Sequence, residues 1–187
     1  AFSAGFDLSG LDQQSDADLL YRFVRVEQLL QMIYQLPMTS VALVQGRCFG
    51  AAADIVASCR KRIAAPDASF RMPGLQFDIV LGTRRLARLI GTDAAFDLLE
   101  TSRIFSADDA LAVGFLTDIR PAEDWASHID KLAIDAGKLS DDAKTALLAA
   151  TRDDRGLDHD LAALVRSAAT PGLAERIRAF VATQVKK

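Results

Sequence analysis

The chain of 187 residues has the composition of one folded domain. Apolar residues make up 50% of it and charged residues 25%, which excludes a disordered chain and provides enough apolar side chains for a core. The net charge of −3 offers no basic surface for a nucleic acid. No apolar run is long enough to cross a bilayer, and the start lacks the pattern of a signal peptide. We therefore expect a cytoplasmic protein that binds neither nucleic acid nor membrane.

The cysteines and histidines do not predict a metal centre. Cys48 and Cys59 are too few for a disulfide framework and lack the spacing of metal ligands. Both lie among small apolar residues, where a buried reduced thiol is typical. His128 and His159 lie in charged helical stretches and are predicted to be surface side chains. The prediction is a protein without a bound metal.

The first elements in chain order are a strand end, a long helix and a buried strand. Phe2 to Leu8 predicts the end of a strand and a tight turn, in which Asp7 bonds neighbouring backbone N–H groups. Asp16 to Leu36 has apolar residues at the three-to-four spacing of an amphipathic helix, which Pro37 ends. Ser40 to Val44 is rich in β-branched residues and predicts a strand.

A helix of small residues follows this strand. The chain turns on Gly46 and Gly50, and a helix then begins with three alanines and carries Asp54 in its first turn. Alanine side chains let a ligand approach the free N–H groups at a helix N-terminus, and the helix dipole suits an anionic oxygen there. The alternative is a helix packed on a sheet, with Asp54 early because acids favour the first turn.

The rest of the chain alternates short strands and helices and then becomes helical throughout. Strands are predicted at Ile63 to Ala65, within the loop-and-strand segment Phe70 to Val80, and at Phe115 to Ile119. Helices are predicted at Thr83 to Ile90, from a Thr92-Asp93 cap to Glu100, and at Ala107 to Val113 after a Ser106 cap. Four more helices are predicted at Ala122 to Lys138, Ser140 to Thr151, Leu157 to Ala169 and Pro171 to Lys187.

Five motifs occur in an order that is typical of one known family. They are Ala1-Phe2-Ser3-Ala4-Gly5-Phe6-Asp7-Leu8, the strand and small-residue helix of residues 41–59, Ala64 to Phe70, Arg85 to Gly91, and Ser106 to Leu116. Together they resemble the crotonase (enoyl-CoA hydratase/isomerase) superfamily over most of residues 1–120.

The resemblance implies an α/β fold, a spiral of strand-strand-helix repeats followed by a C-terminal helical region. Residues 1–120 would be the core, and residues 121–187 a helical region that covers the site and joins subunits. Chains of this family have a substantial portion before the first motif, and this sequence starts inside that motif without a Met. We therefore expect it to be part of a longer protein, a cleaved form or its ordered part.

The resemblance also implies an activity, which is stabilisation of a thioester enolate in an oxyanion hole. The two main-chain donors would be the N–H groups of Phe6 and Ala51. Residues of the same motifs would line the substrate site, namely Ser3, Ala4, Gly5, Gly50 and Gly74. An acyl-CoA would be the substrate, and no further cofactor is implied.

The acid–base residues depart from the family pattern. Hydratases of the family use two glutamates; here Asp54 stands at the first position and Gly74 at the second. Asp54 could therefore act alone. The preferred interpretation is an enzyme that isomerises an enoyl-CoA, or hydrates it weakly, with Asp54 as the acid–base group. Asp78 in the same loop, or a dissolved anion such as bicarbonate, could otherwise supply the second group, although Asp78 is equally well interpreted as a solvated turn acid.

Two further alternatives remain open. The hole could serve an acyl-CoA decarboxylase or hydrolase, or the protein could bind acyl-CoA without catalysis. The resemblance implies a homotrimer or a homohexamer, a dimer of trimers, and Leu164, Phe180 and Val181 could form the subunit contact or pack within the chain. Arg84, Arg85 and Arg88 could bind phosphate, but arginines spaced along one helix are typical of ion pairs.

Overall fold

The computed structural model describes residues 1–151 and 155–185. Its six strands are β1 (Val41–Val44), β2 (Arg47–Phe49), β3 (Lys61–Ala64), β4 (Ser69–Arg71), β5 (Phe105–Ser106) and β6 (Asp118–Ile119). The α-helices of this part are α1 (Asp16–Tyr34), α2 (Ala51–Ser58), α3 (Thr83–Ile90), α4 (Thr92–Thr101), α5 (Ala107–Ala112), α6 (Trp125–Gly137), α7 (Asp141–Thr151), α8 (Leu157–Ala168) and α9 (Leu173–Val185). Short 3₁₀ helices occupy Leu11–Gln13, Gly74–Phe77 and Ala122–Asp124.

The strands form two three-stranded sheets, in the orders β1-β3-β6 and β2-β4-β5. β1 pairs with β3 and β2 with β4, both in parallel, so that the first four strands alternate between the two sheets. β1-β2-α2 and β3-β4-α3 are therefore two strand-strand-helix repeats, which is the predicted α/β arrangement. The N-terminal segment joins the second sheet where Ser3 pairs with Cys48.

The larger core lies between the two sheets and helices α2 to α5. Three phenylalanines form its centre, with ring centroids 5.1 to 5.6 Å apart: Phe70, Phe105 and Phe115. Ala52, Ala53 and Ala57 of α2 are buried in the same cluster, because small side chains allow the helix to pack closely on the strands. Cys48 and Cys59 are buried there without a disulfide, as predicted.

A second core joins α1 to the C-terminal helices. Leu164 of α8 and Ile177 of α9 are fully buried with Leu19 and Phe23 of α1. Phe180, which the sequence analysis considered for a subunit contact, packs against Phe77 with ring centroids 5.0 Å apart and the rings tilted by 45°. Leu164, Phe180 and Val181 therefore pack within the chain, because the apolar faces of α8 and α9 cover α1 and the 74–81 loop.

Two predicted caps are confirmed. The Ser106 hydroxyl accepts the N–H of Asp109 at 3.1 Å, and the Asp109 carboxylate accepts the Ser106 N–H, at the start of α5. Asp7 accepts the N–H of Ser9 at 2.9 Å. The predicted Thr92-Asp93 cap is wrong, since α4 already begins at Thr92 after Gly91 and has no side-chain cap bond.

The strand predictions are wrong in two places. Arg47–Phe49 lies between two turn glycines, where the sequence predicts a turn, yet it pairs with β4 in register from Arg47 opposite Ser69. In the predicted strand Phe115 to Ile119, only the last two residues pair, with β3. Phe115 is apolar because it fills the core, so its hydrophobicity reflects burial rather than sheet pairing.

The four C-terminal helices are found close to their predicted bounds. The first is shorter, because the 3₁₀ turn at Ala122–Asp124 precedes α6. Residues 186 and 187 of the fourth prediction lie outside the described residues. None of the helices in the described ranges has the length and apolar character that a bilayer-spanning segment needs.

Candidate active site

The N-terminal segment runs close to the start of α2. The Ser3 carbonyl accepts the Phe49 N–H at 3.0 Å, which holds residues 3–6 beside the turn into the helix. Gly5 has a φ of +94°, and a β-carbon there would stand 2.5 Å from the Phe49 carbonyl oxygen and 3.1 Å from the Ala51 nitrogen. Only glycine permits this approach, which places the residue before Phe6 against the Ala51 amide.

The amides of Phe6 and Ala51 have no hydrogen-bond acceptor among the residues that the structure describes. Within residues 1–151 and 155–185, neither the Phe6 N–H nor the Ala51 N–H donates a hydrogen bond to another protein group. Ala51 is the first residue of α2, where an N–H has no acceptor inside the helix and the dipole is positive. Both residues line the same two cavities. The N-terminal segment and the start of α2 thus each contribute one residue, Phe6 and Ala51, to the lining of both cavities.

The two cavities differ in size and lining. The inner one has a volume of about 40 Å³ and is lined by Phe6, Phe23, Gly50, Ala51, Asp54, Met72, Gly74, Leu75, Ile79, Leu81, Thr83 and Leu99. The outer one, of about 360 Å³, includes Arg22 and Arg25 of α1 in its lining. The Phe6 ring stacks on Phe23 with centroids 4.2 Å apart, and the Arg22 guanidinium lies 4.3 Å above it. The Phe6 side chain is thereby fixed on α1.

Asp54 is the ionisable side chain of the inner cavity. It is only 4% exposed, and its Oδ1 has no hydrogen-bond partner within the described residues. Burial raises the pKa of Asp54 to about 8; the Arg85 guanidinium opposes this rise and the Glu27 carboxylate adds to it. A carboxyl group that titrates near neutral pH can both accept and donate a proton. Asp54 is therefore a buried carboxyl group, unlike a solvated first-turn acid.

Gly74 lies in the inner cavity with Asp54, but it cannot easily be replaced by a larger residue. A β-carbon at position 74 would stand 2.9 Å from the carbonyl oxygen of Ile79, which also lines the cavity. The Ile79 carbonyl oxygen therefore occupies the space that the side chain of a second carboxylate residue at position 74 would need.

Asp78 is not brought together with Asp54. Its side chain is 72% exposed, and its Oδ2 lies 3.4 Å from the Arg176 guanidinium. It has a φ of +61° at the end of a 3₁₀ helix and does not line either cavity. This placement is that of a solvated turn acid, and we leave Asp78 out of the site proposed below.

The remaining predicted substrate-binding residues divide between the cavities. Ser3 and Gly5 line the outer cavity and Gly50 the inner one. The Ser3 hydroxyl accepts the Gly5 N–H at 3.1 Å, so it stabilises the turn that positions Phe6. Ala4 is exposed and lines neither cavity.

The sequence analysis missed a buried ion pair behind Asp54. Arg85 Nη2 of α3 lies 2.9 Å from Glu27 Oε1 of α1, and the two side chains are 5% and 1% exposed. Gln31 also donates to Glu27 Oε1 at 2.9 Å. The signal was present in the spacing, since Glu27 lies on the apolar face of α1 between Phe23 and Leu30, where a solvated charge is not expected.

Comparisons with known proteins agree with this architecture. The family model described as enoyl-CoA hydratase/isomerase matches residues 1–166. A Bordetella parapertussis protein assigned as an enoyl-CoA hydratase/isomerase has a crystal structure with a TM-score of 0.91 and 45% sequence identity, covering 97% of this chain and 75% of that one. Human mitochondrial Δ3-Δ2-enoyl-CoA isomerase shares the fold, with a TM-score of 0.77 at 22% identity over 100% of this chain and 76% of its own.

This chain matches only part of the length of its curated relatives. A Bacillus subtilis (strain 168) protein named "Probable enoyl-CoA hydratase" is 32% identical over 152 residues, which are 78% of this chain and 57% of that protein. The chain thus spans little more than half of this relative. It belongs to the enoyl-CoA hydratase/isomerase family and has the crotonase fold with C-terminal helices.

Proposed function

We propose that this protein isomerises a short enoyl-CoA, with Asp54 as the only proton carrier and the Phe6 and Ala51 amides as the oxyanion hole. One observation carries the proposal: two residues whose amides have no acceptor in residues 1–151 and 155–185 line the same inner cavity as a buried carboxyl group. Family membership supports an acyl-CoA as the substrate.

The isomerisation needs one acid–base group, because the proton removed from one carbon of the substrate is returned to another. Asp54 takes a proton from C2 of a 3-enoyl thioester, and the electron pair moves through C1 onto the thioester oxygen. The two amides stabilise the resulting dienolate, each contributing roughly 3 kcal/mol in comparable sites. Asp54 then returns the proton to C4, the double bond moves to C2–C3, and the carboxylate is regenerated.

The cavities support a short acyl group. The inner cavity of about 40 Å³ holds only a few non-hydrogen atoms, enough for the reacting carbons but not for a long chain. Arg22 and Arg25 line the outer cavity on the other side of the amides, where their positive charge suits the phosphates of coenzyme A. We propose that the thioester carbonyl lies at the boundary between the two.

The raised pKa of Asp54 favours a second candidate, decarboxylation of a thioester that carries a carboxylate on C2. Loss of CO₂ leaves the same enolate in the same hole, and a protonated Asp54 then donates its proton to C2. Hydration across the double bond is disfavoured, because Gly74 supplies no second carboxylate.

The test compares substrates and variants of the same protein. Short 3-enoyl-CoA, 2-enoyl-CoA and malonyl-type thioesters are assayed with wild type, Asp54→Asn and the control Asp78→Asn. We expect isomerisation by wild type and Asp78→Asn and its loss in Asp54→Asn. Equal rates in wild type and Asp54→Asn would remove Asp54 from the mechanism, and CO₂ release without isomerisation would establish the second candidate. Binding of every thioester without turnover would leave a non-catalytic acyl-CoA-binding protein, and thioester cleavage would indicate a hydrolase.

We also propose that the working protein is a cytoplasmic homotrimer or homohexamer. Large apolar side chains that are more than two-fifths exposed on the α4–α5 side support a subunit contact, namely Phe96, Ile104 and Leu111. Analytical ultracentrifugation tests the oligomeric state, and a monomer at micromolar concentration would contradict it.

A further inference from the structure

The buried ion pair behind the site has a geometry that bears on Asp54. Three helices meet there, since α2 packs against both α1 and α3. Each contributes one charged or ionisable side chain that is at most 5% exposed: Glu27 from α1, Asp54 from α2 and Arg85 from α3. One positive group thus faces two carboxyl groups in an environment of low dielectric constant.

The single guanidinium is bonded to only one of the two carboxyl groups. Arg85 Nη2 donates to Glu27 Oε1 at 2.9 Å. Asp54 Oδ1, Glu27 Oε2 and Arg85 Nη1 have no hydrogen-bond partner within the described residues. The third element packed on α2 is β2, whose ionisable residues are the exposed Arg47 and the buried Cys48. Burial, and then the charge of Asp54, raise the pKa of this thiol to about 12, so it carries no charge at neutral pH.

We propose that Glu27 is a positioning residue that keeps the Arg85 guanidinium occupied, so that Asp54 has no cationic partner and remains a strong proton acceptor. The inference rests on the proposed role of Asp54 in proton transfer. An ordinary solvated carboxylate is a weak base toward a carbon acid, and a direct bond to arginine would weaken it further. Pairing Arg85 with Glu27 avoids that bond and still compensates the charge of Glu27.

The test is the titration of the Asp54 carboxyl carbon by NMR in wild type and Glu27→Gln. Glutamine has the shape of glutamate without its charge, so Arg85 becomes available to Asp54. We expect the pKa of Asp54 to fall by about one unit or more, with kcat reduced several-fold at high pH, its pH profile moved to lower pH, and KM unchanged. A purely structural role of Glu27 would change stability without lowering this pKa.

Asp160→Asn is the matched control. Asp160 pairs with Arg84, the neighbour of Arg85 on α3, at 2.7 Å, and it is absent from the charges that act on Asp54. Its substitution also breaks an arginine ion pair of α3, but it is expected to leave the Asp54 titration unchanged.

The titration of Asp54 decides whether Glu27 has the inferred role. An Asp54 pKa that is unchanged or higher in Glu27→Gln would overturn the inference. If Glu27→Gln does not fold, the wild-type titration decides, because an Asp54 that is ionised throughout the neutral range would also overturn it. If wild type turns over no thioester while Glu27→Gln still lowers the pKa, the proposed function fails and the charge arrangement inferred here stands.

Discussion

The carboxylate of Asp54 lies against the α-carbon of Gly82. A β-carbon at Gly82 would overlap Asp54 Oδ1 and stand 2.9 Å from its Cγ. Gly82 precedes α3 with a φ of +64°, a conformation that glycine adopts without strain. The same glycine thus starts the helix that carries Arg85 and leaves room for the carboxyl group.

Gly82→Ala tests this contact. The added methyl group must displace the Asp54 carboxyl, and a displacement of about 1 Å is expected to reduce kcat/KM roughly a hundredfold. Stability should also fall by about 1–2 kcal/mol, because alanine is strained at this φ. Steady-state kinetics and chemical unfolding measure the two effects.

Gly137→Ala is the control for that substitution. Gly137 ends α6 without a positive φ, and a β-carbon at this position would meet no other atom within 4 Å. This variant should therefore retain wild-type kinetics. If the Gly82→Ala protein is as active as wild type, the position of the Asp54 carboxyl group does not limit catalysis.

The proposed oxyanion donor on α2, the Ala51 N–H, can be removed without changing a side chain that touches the core. Ala51 is the first residue of α2, the position where proline is accommodated because its missing N–H has no helical acceptor. Ala51→Pro is expected to lower kcat about 10²- to 10³-fold, the cost of losing one donor of such a hole. Circular dichroism should show an unchanged helix content.

Ala51→Gly is the companion variant, because it keeps the N–H and removes only the methyl group. Its kcat should remain within a few-fold of wild type. If Ala51→Pro and Ala51→Gly are equally active, the α2 amide does not stabilise the transition state, and the oxyanion hole must be sought elsewhere.

The pKa of Asp54 has a consequence for stability. In the folded protein this pKa is about 8, against about 4 in an unfolded chain. Between these values the folded state binds a proton that the unfolded state does not, so the free energy of unfolding decreases as pH rises from about 4 to about 8. The contribution of Asp54 over this window is on the order of 5 kcal/mol.

Urea unfolding of wild type and Asp54→Asn across this range isolates the effect. Asparagine does not titrate, so the variant should lack most of the decrease and should exceed wild type in stability near pH 9. Parallel pH curves for the two proteins would mean that Asp54 has an ordinary pKa in the folded state.

The sequence allowed the fold to be predicted, for physical reasons that particular residues illustrate, and the main-chain part of the site stays a prediction. Helical periodicity located α1 and β-branched residues located β1, and the alanines after Gly50 indicated a helix with an accessible N-terminus. These features are local, so they can be inferred from neighbouring residues. Phe6 and Ala51 are 45 positions apart, and their proximity was expected only from the family resemblance.

The charged part of the site could not be predicted, because it depends on which helix faces meet. Glu27 and Arg85 are far apart in the sequence and belong to α1 and α3. The sequence pattern groups Arg85 with Arg84 and Arg88 as a surface or phosphate-binding residue, although it is only 5% exposed. The lone charge on the apolar face of α1 could have indicated a buried partner, but not which of the arginines it was.

The last prediction concerns the attachment of α8 to α1. Leu164 is fully buried against Leu19 and Phe23, so Leu164→Ala should destabilise the fold by about 2–5 kcal/mol through the lost contacts and the cavity left behind. Leu147→Ala on α7, where the side chain is 52% exposed, should change stability by less than about 0.5 kcal/mol. Because Leu164 packs within one chain, its loss should lower the urea midpoint equally at all protein concentrations. A destabilisation that disappears on dilution would instead place Leu164 in a contact between subunits.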